Sequence, residues 1–183
     1  VSVLQAGRTM ESLNIKRLPV LENEQLAGIV TQTDVIRGLV SLCPLRAVSD
    51  IMTAKVATIQ ADMSITQAAR FMAAKGISCI VALHRQEVAG ILTEKDLLKR
   101  VVALQKDPAQ TQVADVMSFP IVTVSPDYSI LSASKKLDDF HLHRLVIVDG
   151  NRVCGIITQT DLMRAIRREL DQMESERHRL TAQ

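Results

Sequence analysis

Three threonines each stand three positions before an aspartate, in one recurring setting. They lie in Gly28-Ile-Val-Thr31-Gln-Thr-Asp34, Gly90-Ile-Leu-Thr93-Glu-Lys-Asp96 and Gly155-Ile-Ile-Thr158-Gln-Thr-Asp161. Each copy closes an aliphatic run and opens a helical one. Two chemistries suit such a pair. A Thr hydroxyl at a strand-to-helix junction, with an acid three positions on, is a variant of the capping box: it satisfies free N–H groups, and the acid favours the positive end of the helix dipole. A carboxylate at a helix start that faces a cleft can also accept from both hydroxyls of a ribose diol, as an acidic residue does in dinucleotide folds. The Thr hydroxyl beside it can donate or accept.

A ribose carries phosphate in most nucleotides, so the second chemistry needs positive charge nearby. Lys16, Ser78 and His143 stand at one common offset before Thr31, Thr93 and Thr158. Lys16-Arg17 and His143-Arg144 are basic pairs in which an Arg can grip phosphate through two parallel hydrogen bonds. Equally, such a pair can be a solvated cap on the end of the preceding helix. Ser78-Cys79 is the departure: Ser78 offers one hydrogen bond and matches a triphosphate poorly. The third copy, with His143 and Arg144 together, is the favoured phosphate site.

The elements that must position these residues repeat as well. The step from Asp34 to Asp96 is nearly the same as that from Asp96 to Asp161. With these aspartates superimposed, Ser2–Met10, Ser64–Met72 and Ser129–Leu137 align without a gap, which is the signature of a repeat architecture. In the third unit, Ile121–Val124 reads as a short strand and Ser125–Ser129 as a turn into a helix. Ile130, Ala133, Ser134 and Leu137 recur at helical spacing. Leu145–Val148 and Val153–Ile157 are strands joined by a hairpin turn at Asp149–Arg152, and a second helix begins near Leu162. The order is β-α-β-β-α. Units 2 and 3 also share a leading segment, Val48–Ile59 and Val113–Val124, which unit 1 lacks, so the chain reads as a fragment of a longer protein. The units are 1–45, 46–106 and 109–168, followed by a helical extension over 169–183. One unit of this size has a marginal core, whereas two packed together make an ordinary domain.

This element order and the Gly-h-h-Thr-x-x-Asp signature resemble the CBS domain, named for cystathionine β-synthase. The resemblance covers residues 1 to about 168. It implies an α/β (α+β) fold in which tandem units pair through their sheets into a Bateman module, with units 2 and 3 as the intramolecular pair. On that reading unit 1 pairs with an upstream unit or with one in another chain. It also implies an adenosine-containing ligand, such as AMP, ADP, ATP or S-adenosylmethionine, bound between paired units. The ribose-facing pairs would be Thr158/Asp161, Thr93/Asp96 and Thr31/Asp34, and the phosphate-facing residues His143/Arg144, Ser78 and Lys16/Arg17.

Beyond Asp161, Met163, Ile166, Leu170, Met173, Arg177 and Leu180 step by threes and fours, as a heptad seam does. They predict a connecting helix that pairs in a homodimer and leads to an effector domain C-terminal to these residues, of the kind found in bacterial signalling outputs such as diguanylate cyclases and histidine kinases. The alternatives are a terminal helix lying on its own domain, a CBS scaffold that dimerises without a ligand, and the regulatory part of a metabolic enzyme.

Composition narrows the function classes. The net charge is only +2, which gives no drive toward nucleic acid or an anionic membrane. Three Phe, one Tyr and no Trp make a poor base-stacking platform. Cys43, Cys79 and Cys154 are odd in number and widely spaced, with no metal spacing; Cys79 and Cys154 read as buried small hydrophobes suited to a reducing cytoplasm. No stretch approaches the length of a membrane span. His84, His141 and His178 read as surface residues, Asp138-Asp139 as a solvated helix face, and Lys99-Arg100 and Arg167-Arg168 as helix C-terminal charges. No nucleophile–base set recurs, so the expectation is a binding module without catalytic activity of its own.

Overall fold

The computed structural model describes residues 1–42 and 46–181, without the side chains of residues 42, 174, 176–178, 180 and 181. Cys43 and the His178, Arg177 and Leu180 side chains lie outside that description. The first repeat comprises α1 (Val3–Ser12), β1 (Arg17–Glu22), β2 (Gln25–Thr31) and α2 (Gln32–Leu39). The second comprises β3 (Thr58–Gln60), α3 (Ile65–Lys75), β4 (Cys79–His84), β5 (Glu87–Thr93) and α4 (Glu94–Asp96), which rewinds as a π-turn over Leu97–Val102. The third comprises β6 (Thr123–Val124), α5 (Ile130–Asp139), β7 (Arg144–Asp149), β8 (Arg152–Thr158) and α6 (Gln159–Thr181).

The β-α-β-β-α order holds in repeats 2 and 3. β3 runs parallel to β4, which runs antiparallel to β5, and β6 is parallel to β7. The strand expected over Ile121–Val124 shortens to Thr123–Val124, because its first half is part of an irregular crossing segment. The hairpin turns carry the residues that reverse a twisted strand pair. Asn23 and Glu24 have φ of 50° and 65°, and Arg85 and Gln86 have 50° and 71°, the left-handed pairs of a type I′ turn. The first helix of each repeat is opened by Ser2, Ser64 or Ser129, whose hydroxyl accepts from an N–H three positions on.

The chain forms two compact units that do not follow the repeat boundaries. One holds residues 1–52, 126–145 and 157–183; the other holds 53–125 and 146–156. In the second, repeats 2 and 3 pair through their sheets, as the sequence predicts. Val81 and Ile91 are buried against Val146, with Leu83, Val88, Val148, Val153 and Ile156 packed around them. On the opposite face of β4 and β5, Ile80, Ala82 and Leu92 form a core with Ile65, Ala68 and Met72 of α3. Strand alternation thus gives repeat 2 two buried faces, one toward its own helix and one toward the next sheet.

In the first compact unit, repeat 1 meets repeat 3 through helices. This helix contact is one that the sequence reading does not anticipate, while Leu21, Leu26 and Ile29 of the repeat 1 sheet stay exposed. Met163, Ile166 and Leu162 of α6 are almost fully buried, as are Val35 and Ile36 of α2 and Met10 of α1. Gly7 of α1 stands so close to α6 that an added Cβ would lie 3.1 Å from Met163 Cε. Ion pairs fringe this packing: Arg167–Glu11 at 3.1 Å, Arg8–Asp171 at 3.2 Å and Arg46–Glu169 at 3.1 Å. Arg37 grips Asp138 through two bonds of 3.1 and 2.6 Å, so Asp138 is no solvated bystander. The first half of the heptad seam is therefore core of its own chain, and Met173 is where the seam becomes exposed.

The leading segments cross over. Val113 N–H donates to Met63 O of repeat 2, and Ser118 bridges Ile91 of β5. Reciprocally, Val48 N–H donates to Tyr128 O of repeat 3, and Thr53 bridges Ile156 of β8. Each lead thus lies on the other repeat.

Candidate functional site

Thr31/Asp34 and Thr93/Asp96 are complete capping boxes, and Thr158/Asp161 makes the half in which the Asp carboxylate accepts from its Thr. Asp34 Oδ2 accepts from Thr31 N–H at 2.8 Å and from Thr31 Oγ1–H at 2.6 Å, while Asp34 N–H donates back to Thr31 Oγ1. The Thr93/Asp96 distances to Oδ2 are 3.0 and 2.5 Å. Those for Thr158/Asp161 are 2.8 and 2.6 Å. In every copy one carboxylate oxygen is consumed by the cap, and Oδ1 decides what else the residue can do.

Lys16, Ser78 and His143 are brought to the same junctions through their backbones. The carbonyl of Lys16 accepts from Gln32 N–H at 3.1 Å, that of Ser78 from Glu94 N–H at 3.2 Å, and that of His143 from Gln159 N–H at 3.4 Å. Arg17 is the cross-strand partner of Thr31, and Cys79 that of Thr93. Strand pairing therefore places each two-residue step beside its cap. Lys16, Arg17, Ser78 and His143 have exposed side chains, and Arg144 is half-buried.

The three junctions differ at Oδ1. At Asp96, 7% exposed, Oδ1 accepts from Ser118 Oγ–H at 3.1 Å and faces Arg100 at 3.6 Å. Arg100 in turn donates to the carbonyls of Val116 and Met117 at 2.9 and 2.7 Å, so the π-turn that carries it ties the crossing lead to the junction. At Asp161 the counter-charge on Oδ1 is Arg164, looser at 3.9 Å. At Asp34 the residue is exposed, and the Thr31 hydroxyl and N–H hold its carboxyl below the ordinary value, with Arg37 adding a smaller pull in the same direction.

Ser118 and Arg100 are the residues that sequence reasoning misses. Helix position alone makes Arg100 a plain C-terminal charge. Ser118 stands far along the chain from Asp96, and no local spacing connects them; the one signal is its repeat equivalence to Thr53, a second hydroxyl at the same place in a lead. Cys79 and Cys154 are half-buried rather than buried, and the Cys154 thiol donates to Ile147 O at 3.3 Å. No group of three or more His, Cys, Asp or Glu among the described residues could hold a metal ion. No helix among the described residues is long and apolar enough to cross a membrane.

Two of the cavities among the described residues lie elsewhere. One of about 170 Å³ sits among α2, α5 and α6, bordered by Arg37, Ser134, Lys135 and Gln159. The other, about 260 Å³, is an open groove near Phe119, Pro120 and Asn151. Neither the Thr nor the Asp of any motif lines either one.

The depressed Asp34 carboxyl has a pH consequence. A carboxylate whose folded pKa lies below its unfolded one adds stability above the unfolded value, and that stability is lost as pH falls through the folded value. Urea titrations of the protein and of Asp34→Asn should differ at pH 6 and converge below about pH 4. A difference that stayed constant down to pH 2 would show that the carboxylate charge is not what stabilises the cap.

The chain is similar to several known proteins. The CBS domain-containing protein YhcV of Bacillus subtilis is 34% identical over 118 residues, covering 64% of this chain and 84% of YhcV. A homoserine O-acetyltransferase of Methanohalobium evestigatum is 33% identical over 121 residues, covering 65% of this chain but 24% of that enzyme. Across other curated relatives the chain spans from 24 to 61% of their lengths. In structure, protein MJ1225 of Methanocaldococcus jannaschii superposes with a TM-score of 0.72 at 19% identity, over 90% of this chain and 64% of that one, which establishes the shared fold. The family model described as the CBS domain matches residues 1–41, 48–103 and 113–168. With three matched segments, each ending in the capped Thr-x-x-Asp helix, the chain belongs to the CBS domain family.

Proposed function

We propose that the chain is a regulatory module that binds an adenosine-containing nucleotide at the Thr158–Asp161 junction and passes the change to an effector domain of the same protein. The observation that supports this most is the state of Asp161. Its Oδ2 holds the cap, while its Oδ1 has only a distant counter-charge, so a ribose diol can bind there without breaking the helix start. His143 and Arg144 lie at the same junction to meet phosphate. Thr31/Asp34 with Lys16 and Arg17 is the second candidate, open but exposed. Thr93/Asp96 with Ser78 ranks last, because Ser118 and Arg100 already occupy Asp96. A nucleotide that prefers one arrangement of the repeats would shift their equilibrium toward it by its difference in affinity. The module acts by binding: the match to the acetyltransferase covers a quarter of that enzyme, as a regulatory segment would. In this reading the protein works in the cytoplasm, where adenine nucleotides are abundant.

Calorimetric titration with AMP, ATP and S-adenosylmethionine tests the proposal. Binding of at least one is expected, with a rise in melting temperature, since ligand at 100 times its Kd adds about 2.7 kcal/mol. Asp161→Ala should weaken binding about tenfold or more, and Asp96→Asn should change it little. No heat and no thermal shift with any of the three would favour the second reading, a scaffold without a ligand. That reading draws on the fact that every Thr-x-x-Asp pair already serves as a cap and lines neither cavity.

A further inference from the structure

The cavity of about 170 Å³ lies among the helices that join repeat 1 to repeat 3, wholly within the first compact unit. Its wall is mostly aliphatic, from Ile36 and Val40 of repeat 1 and Leu131, Leu137 and Leu162 of repeat 3. The repeats supply an internal control. With the motif aspartates aligned, the same three-helix packing occurs a second time: α1 takes the place of α5, and α2 and α6 exchange roles. There the cavity shrinks to about 10 Å³. Met163 stands in the place of Ile36, and Arg167 in that of Val40. Met163 Cε reaches to 3.1 Å from where a Gly7 Cβ would lie, and Arg167, which lines the same space, pairs with Glu11 at 3.1 Å. This packing can therefore close, and the shorter Ile36 and Val40 leave it open on the other side. Protein interiors otherwise keep few voids larger than a water molecule.

The polar groups around the open cavity divide in two. Gln159 Nε2–H donates to Thr33 Oγ1 at 2.9 Å, and Arg37 is held by Asp138, so these four satisfy one another. Ser134 and Lys135 of α5 have no such partners. Ser134 stands where Gly7 stands in the closed counterpart and is only 9% exposed. Its hydroxyl makes no hydrogen bond among the described residues, although a buried hydroxyl ordinarily has a partner. Lys135 is exposed at the border of the cavity and makes no ion pair among the described residues. Its counterpart Arg8 pairs with Asp171 at 3.2 Å.

We propose that this cavity is a binding site for a small aliphatic carboxylate. The apolar wall takes the hydrocarbon body, Ser134 Oγ–H donates to the head group, and the Lys135 ammonium supplies the counter-charge. An apolar cavity of about 150 Å³ holds benzene, so a ligand of about six to eight heavy atoms suits this one. A nucleotide is too large for it, and the inference is independent of the reading given to Asp161. Because the wall comes from both repeats, the ligand binds only their packed arrangement and stabilises it.

Amide chemical shifts of the full chain, followed by NMR during titration with hexanoate, test this, with hexanol as the uncharged probe. Millimolar hexanoate should give saturable shifts clustered on α2, α5 and the start of α6. Ser134→Ala should weaken hexanoate about tenfold, as loss of a hydrogen bond to a charged group does. Lys135→Met should weaken hexanoate and leave hexanol unchanged. Val40→Met places a longer side chain where the closed counterpart has Arg167. It should abolish binding of both probes, with a melting temperature equal to or above that of the parent chain. The first two variants remove only an oxygen and an exposed charge, so they report on binding even if Val40→Met fails to fold. No saturable shift with hexanoate, or shifts centred on Thr158–Asp161, would overturn the proposal. So would hexanoate affinity unchanged by both Ser134→Ala and Lys135→Met, or binding that survives Val40→Met in a folded chain.

Discussion

Asp96→Ala should lower the free energy of unfolding by about 2–3 kcal/mol, against about 1 kcal/mol for Asp161→Ala. The comparison is controlled, because the two side chains are almost equally exposed, at 10 and 11%. Both accept the same two hydrogen bonds from their Thr. What differs is Oδ1. Losing the Asp161 carboxylate removes a cap, which typically costs about 1 kcal/mol. Losing that of Asp96 also strips Ser118 Oγ of its acceptor and removes the counter-charge facing the exposed Arg100, which keeps its two carbonyl acceptors. Asp96→Asn should recover part of the loss, since its amide oxygen can still accept from Thr93 while its amide nitrogen faces Ser118. Urea unfolding of the three variants decides the matter. Equal costs for Asp96→Ala and Asp161→Ala would mean that the crossing lead contributes nothing through this contact.

The glycines of the same motif should respond with opposite signs. Gly90→Ala is expected to destabilise by about 1–3 kcal/mol, the cost of forcing extra volume into a filled site. A Cβ there would meet Met117 Sδ at 2.5 Å and Ser118 O at 3.0 Å. The Met side chain can swing aside. The Ser118 carbonyl cannot, because the lead is pinned to β5 by Ile91 N–H donating to Ser118 O at 3.1 Å and Ser118 N–H donating to Ile91 O at 2.8 Å. Gly28 occupies the same repeat position with nothing within 4 Å of its would-be Cβ. Its φ is not positive, so Gly28→Ala should be neutral or stabilise by about 0.4–1 kcal/mol through the unfolded chain. Thermal melts of the two variants give the signs directly. A Gly28→Ala variant as damaged as Gly90→Ala would show that the motif glycine answers to the hairpin itself and not to a crossing lead.

These two predictions locate what local sequence can and cannot say. The strand-to-helix caps are legible because a capping box is a short pattern with a short-range cause: the Thr hydroxyl and the Asp carboxylate reach N–H groups of their own turn. The repeat, its β-α-β-β-α order and the hairpins are legible for the same reason, since periodicity and turn chemistry are set within a few residues. The contact between repeats 2 and 3 is legible through their shared leads and their apolar strands. The seam Met163, Ile166 and Leu170 is legible as apolar but ambiguous in its partner, because a helix stripe looks alike whether it faces another chain or α1 and α2 of its own.

The sequence by itself therefore determined three copies of one fold and three capped junctions, each with its two-residue step at a fixed offset before it. The tertiary structure alone decided which junction keeps an unused oxygen. That choice turns on Ser118 and Arg100 reaching Asp96, the former from a lead that belongs, by alignment, to the next repeat. The crossing is a long-range packing outcome, set by which sheet faces bury against each other, and no spacing within one repeat encodes it. The same packing covers the apolar face of two sheets and leaves that of repeat 1 open, so three nearly identical units end with three different environments.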